Sequence, residues 1–154
     1  MTVAVDIPGR EPIELQFLLL DVNGTLADRG ALLDGVAERI RELREQLEVR
    51  LLSADTFATM TQIAGELDVS AQSAASVSDK LSVLHQLGPG RCAAIGNGSN
   101  DVGMLSEAAV GIAVLGPEGA SSAALAACDI VAPTILVALD LLRDPRALAA
   151  TLRR

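Results

Sequence analysis

Asp21 ends the apolar run Phe17-Leu18-Leu19-Leu20, and Asn23-Gly24-Thr25 follow it at once. A second polar stretch, Asn97-Gly98-Ser99-Asn100-Asp101, follows Ala93-Ala94-Ile95-Gly96. Between these, Ser53 closes Val49-Arg50-Leu51-Leu52, and Lys80 follows Ser76-Val77-Ser78-Asp79. A carboxylate ending a buried strand is costly unless it is solvated at the mouth of a site or binds a cation. A Lys at a helix start opposes the helix dipole unless an anion lies nearby. The chemistry these types could do is therefore that of a cation and an anion held side by side. Each stretch also has a plainer reading: an Asx turn, a helix cap, a surface Lys beside Asp79, a Gly/Asn-rich loop.

The elements that must position these residues follow from periodicity. Four large apolar residues without polar alternation predict a strand buried on both faces, and the polar residues then fall at its carboxyl end, where open α/β sheets bind ligands. Residues 2–7 and 13–20, split by Pro8-Gly9-Arg10, predict an N-terminal β-hairpin whose second arm becomes that central strand. Asp34 is expected to cap a helix carrying Val36, Ile40, Leu43 and Leu47 at helical spacing. Strands are expected at 49–53, 69–75, 92–95, 110–115 and 129–131. Helices are expected at 56–67, 79–87, 101–108, 119–127 and 135–142, with a final turn or helix after Pro145. Strands alternating with helices predict one α/β domain, residues 1–154, with a mainly parallel sheet.

Half of the 154 residues are hydrophobic, and the only aromatics are Phe17 and Phe57. A net charge of -8 and the lack of stacking rings speak against a nucleic-acid partner. Cys92 and Cys128 fit neither a metal spacing nor a disulfide framework and are expected to be buried thiols. His85 stands alone and is expected on the surface, so no Ser-His-Asp or Cys-His arrangement can be assembled. With no apolar run of membrane-spanning length and no signal-peptide pattern, a cytoplasmic protein without a membrane partner is expected.

Asp21-Val22-Asn23-Gly24-Thr25-Leu26 resembles the first motif, D-x-D-G-T-[LV], of the haloacid dehalogenase-like (HAD) phosphohydrolases, a superfamily that includes the phosphorylation domain of P-type ATPases. Gly96-Asn97-Gly98-Ser99-Asn100-Asp101 resembles its fourth motif, G-D-G-x-N-D. Leu51-Leu52-Ser53 with Ala54-Asp55-Thr56, and then Lys80, fall in order as the second and third. The resemblance implies a Rossmann-like (HAD-type) three-layer sandwich. The segments 26–49 and 56–78 are too short for the family's cap domain, so a capless member similar to soluble P-type ATPase-like phosphatases is expected. Capless relatives often act on large substrates or close their sites by oligomerising.

By the same resemblance Asp21 is the nucleophile that takes up a phosphoryl group. Ser53, Ala54, Lys80, Gly24 and Thr25 bind phosphate. Mg²⁺ is the cofactor, held by Asp21, the Asn23 backbone, Asn97 and Asp101, with Asn100 and Asp55 in support. Hard oxygen donors suit this ion. Two residues depart from the pattern. Asn23 replaces the acid/base Asp, help typically worth about 10²–10⁴-fold, and Asn97 replaces a carboxylate metal ligand. The implied function is a slow Mg²⁺-dependent phosphatase-like hydrolase, with a catalytically impaired phosphate-binding or phospho-aspartate regulatory protein, acting through a partner, as the alternative. A receiver-like domain is poorer, because the acidic pair expected ahead of its central strand is absent.

Overall fold

The computed structural model describes residues 1–54 and 57–154. Strands β1 (Val3–Val5) and β2 (Ile13–Leu15) form the expected antiparallel hairpin, with Val3 opposite Leu15. Val3, Val5, Ile13 and Leu15 are buried while Ala4 and Glu14 face out, the period of two of a half-buried strand. The second arm does not run unbroken into the sheet. It breaks at Gln16, whose N–H donates to Arg91 O and whose carbonyl accepts from Glu48 N, and the chain re-enters as β3 (Phe17–Asp21).

β3 lies inside a six-stranded sheet with β6 (Glu48–Ser53), β7 (Ser70–Ser73), β8 (Cys92–Gly96), β9 (Val110–Val114) and β10 (Ile130–Ala132). The order is β10-β9-β8-β3-β6-β7, and every pair is parallel. Leu18 and Leu20 pack into the core on one face of β3, and Leu19 into that on the other. A strand with two apolar faces cannot alternate with polar residues, which is why its sequence reads as a continuous run. The first face is covered by α1 (Val36–Leu43), α2 (Phe57–Leu67), α6 (Ile135–Arg143) and α7 (Pro145–Leu152). The second is covered by α3 (Val77–Leu87), α4 (Val102–Glu107) and α5 (Ser122–Ala127). Three layers result.

Between β3 and β6 lie only α1 and a small antiparallel pair, β4 (Ala27–Asp28) and β5 (Ala31–Leu32), so the fold has no cap there. That pair turns at Arg29 and Gly30, both with positive φ, and is not evident from so short a stretch of sequence. The expected cap of α1 also differs. Gly35, in the left-handed region at φ 85°, is the N-cap, and no side chain caps the helix. Cys92 is buried as expected, whereas Cys128 is only half-buried. His85 is exposed and lies against Glu107. No helix among the described residues is long and apolar enough to cross a membrane.

Candidate active site

The chain runs outward from β3 through β6 to β7, then returns to β8 on the other side of β3. Strand order reverses there, and in open α/β sheets that reversal opens a crevice at the carboxyl ends. Asp21 ends β3, Ser53 ends β6, and Asn97 follows β8, so three chain segments meet at one mouth.

Lys80 reaches that mouth from α3. Ser76 caps the helix: its hydroxyl accepts from Asp79 N at 3.0 Å, and the Asp79 carboxylate accepts from Ser76 N at 3.2 Å. This reciprocal pair satisfies two helix-end donors, fixes the first turn and points the next side chain inward. Lys80 is the largest buried charged side chain, with 0% exposure. Its Nζ donates to Asp21 Oδ1 at 2.8 Å and to Asp101 Oδ1 at 2.7 Å. The surface-lysine reading is thereby excluded.

Asp101 occupies a different place from the one expected of a metal ligand. It is completely buried, and neither oxygen reaches the cleft: Oδ1 holds Lys80, while Oδ2 accepts from Asn97 N and Gly98 N, both at 3.0 Å. A Cβ at Gly96 would lie 2.4 Å from Asp101 Oδ2, so only glycine lets the carboxylate rest against this backbone. Thr25 is also buried. Its hydroxyl lies 3.1 Å from Asp21 Oδ2 and 3.2 Å from Asn97 Oδ1, bridging the first and fourth motifs. The backbone N–H groups of Gly24 and Thr25 close their own turn, donating to Ala27 O and Val22 O, so they are not the phosphate donors expected.

A cleft of about 220 Å³ is lined by Asp21, Asn23, Ser53, Ala54, Asn97, Gly98, Asn100 and Glu118. Most of the expected site residues are thus together; Lys80, Asp101 and Thr25 stand behind this surface, and Asp55 lies outside the described residues. Glu118 went unnoticed in the sequence. The signal available was its position in a loop after a parallel strand, which must open at the same edge as Asp21. Asn100 reaches sideways, donating from Nδ2 to Ala75 O at 3.3 Å.

Burial and the nearby Asp101 carboxylate push the Asp21 acid up to about 6, against the opposing pull of Lys80. Burial by itself would lower the Lys80 ammonium, but Asp21 and Asp101 outweigh it and hold that group above its ordinary value. Two carboxylates sharing one ammonium leave a net negative charge, which a further cation beside Asp21 would complement. Asp21, the Asn23 backbone carbonyl and the Asn97 side-chain oxygen are hard donors. Among the described residues no three His, Cys, Asp or Glu side chains converge as a metal cage. Such a donor set fits Mg²⁺, which keeps several waters and uses one or two carboxylates, and does not fit a thiolate- or imidazole-seeking metal.

Comparison with known proteins bears on the family and the fold. A family model described as haloacid dehalogenase-like hydrolase matches residues 37–135, from α1 through the fourth motif to α6, beginning beyond Asp21. Uncharacterized protein MJ0073 of Methanocaldococcus jannaschii is 50% identical over 60 residues, or 39% of this chain, and the match spans 64% of its length. The cobalt-bound deoxy-D-mannose-octulosonate 8-phosphate phosphatase of Haemophilus influenzae superposes with a TM-score of 0.71 at 17% identity, covering 88% of this chain and 91% of that one. The 3-deoxy-D-manno-octulosonate 8-phosphate phosphatase of Moraxella catarrhalis, in complex with magnesium and phosphate ions and a KDO molecule, gives 0.67 at 18% identity, covering 89% and 92%. At such identities the likeness is one of fold.

Proposed function

The chain belongs to the haloacid dehalogenase-like hydrolases, and from that premise we propose that it is a slow, Mg²⁺-dependent phosphatase-like hydrolase working through an aspartyl-phosphate on Asp21. The observation that carries this reading is the buried Asp21–Lys80–Asp101 arrangement at the point where strand order reverses. A nucleophilic carboxylate needs no base, but it must approach an anion. Lys80 holds Oδ1 and the Thr25 hydroxyl holds Oδ2, which orients the carboxylate for attack on phosphorus as the ester oxygen leaves; water then releases phosphate from Asp21. Bound Mg²⁺, held by Asp21, the Asn23 carbonyl and Asn97, would offset the repulsion between carboxylate and phosphate. The Ser53 hydroxyl lines the cleft where it can hold a phosphoryl oxygen.

Asn23 sets the pace. Its side-chain oxygen accepts from Gly30 N at 3.0 Å, and an amide is too weak an acid to protonate a leaving group. The reading therefore favours activated phosphoesters and a long-lived phospho-Asp21. The absence of a cap between β3 and β6 leaves the cleft open to large phosphorylated substrates.

The test is an aryl-phosphate assay with Mg²⁺, together with mass spectrometry of the intact protein. Turnover, or a phosphoryl adduct on Asp21, is expected in the wild type, and Asp21→Asn should reduce both to background. Neither product forming, while inorganic phosphate still binds, would sink the enzyme and leave the impaired phosphate-binding or regulatory protein, the reading that the two amides favour.

A further inference from the structure

Among the described residues, Glu118 is the one carboxylate lining the cleft that the four motifs do not account for. It stands in the tight turn after β9, where Gly119 N donates to Gly116 O at 2.9 Å. That turn is docked on the site at two points. Asn97 Nδ2 donates to Gly119 O at 3.1 Å. Gly116 packs against the loop after β3 so closely that a Cβ there would lie 2.0 Å from Gly24 O.

From this turn the Glu118 side chain reaches back over Gly24. A Cβ on Gly24, whose φ is +79°, would meet Glu118 Oε2 at 2.4 Å and Asn97 Nδ2 at 2.7 Å. Carboxylate and amide thus converge over one bare Cα, next to the nucleophile's own loop. Glu118 is exposed, and among the described residues no hydrogen bond or ion pair ties its carboxylate down. Asn97 then does more than offer a neutral oxygen in place of a carboxylate. Its amide nitrogen tethers the turn that carries Glu118, whereas a carboxylate at 97 would set an oxygen against the Gly119 carbonyl.

Charge points the same way. Lys80 cancels one of the two buried carboxylates, Asp21 and Asp101, leaving a single negative charge for a divalent ion. Glu118 adds the second, the charge that a carboxylate at position 97 would otherwise supply. We infer that Glu118 is the second anionic group of the cation site, brought in from the β9 turn to replace the carboxylate absent at Asn97. This rests on the reading of Asp21 as the centre of a Mg²⁺-dependent site.

The experiment is a titration of the metal-free protein with Mn²⁺, following the EPR signal of the free ion, and with Mg²⁺ by calorimetry. Glu118→Gln is expected to weaken both ions by about 10- to 100-fold, the range for losing a group that supports a metal. Glu14→Gln, on the exposed face of β2, should bind like the wild type. Asn97→Asp in the Glu118→Gln background puts the charge back at the fourth motif and should recover most of the loss. Wild-type turnover with Glu118→Gln affinity within about twofold of the wild type would overturn the inference and leave the proposed function standing. Unchanged cation affinity with tighter binding of inorganic phosphate would also overturn it, making Glu118 an anion gate. A wild-type protein that neither binds Mn²⁺ nor forms an adduct would defeat both readings.

Discussion

On one side of the cleft Asp21, Lys80 and Asp101 are buried and joined by ion pairs of 2.7–2.8 Å; on the other, Asn23 and Asn97 turn their amides toward neighbouring loops. Under the proposed function, the charged side supplies what phosphoryl transfer needs before substrate arrives: a fixed carboxylate and a compensated field. The amide side is arranged for architecture. Asn23 holds the β4–β5 pair through Gly30 N, and Asn97 holds the β9 turn through Gly119 O. Motif positions can therefore keep their place in a fold while exchanging chemistry for support, and the two uses are told apart by where the side-chain atoms are engaged.

The difference can be broken most sharply at Asn23. Asn23→Asp keeps an oxygen for Gly30 N and adds a proton-transfer group, so turnover should rise by about 10²–10⁴-fold and the adduct should shorten in life. Unchanged steady-state rates would mean that the amide side does not limit the reaction. On the charged side, Lys80→Met leaves Asp21 and Asp101 facing each other without their shared ammonium. Removing one partner of such a buried pair costs about 3–5 kcal/mol, to be read by denaturant unfolding.

That loss should depend on pH, with a definite sign. Asp21 is already pushed up to about 6, first by burial and then by Asp101, and losing Lys80 raises it further. A carboxyl raised in the folded state contributes stability when protonated and loses it as pH rises through its folded value. The Lys80→Met deficit should accordingly be larger at pH 8 than at pH 5, and a flat profile would contradict the shared-ammonium picture. The smallest expected effect lies at the seam between the two sides. Thr25→Val removes the hydroxyl between Asp21 and Asn97 and should cost about 1–3 kcal/mol in unfolding free energy. No change there would show that the two sides are independent.

Much of the site could be read in advance because its residues sit at strand ends, and strand ends are legible. The apolar run before Asp21 and the shorter ones before Ser53 and Asn97 each mark a boundary by local chemistry, whereas the Ser76 cap starts α3 at Val77, two residues ahead of the expected start at Asp79. The β4–β5 pair, the break at Gln16 and the Gly35 cap were not legible, since each depends on loops that distant elements hold. Asp101 shows the limit for roles. Its type and spacing suit a ligand as well as a strut, and only its burial against Lys80 decides between them. Glu118 shows the limit for membership, because the turn that carries it belongs to no motif.

By itself the sequence determined the strands of the central sheet, the helices that cover it and the polar residues that end those strands, because periodicity acts over a few neighbouring residues. Tertiary structure alone decided which oxygens face the cleft, which are used up behind it and which carboxylate arrives from outside the motifs. Those outcomes depend on where separate strands end in space, and on whether a glycine leaves room for another segment's side chain.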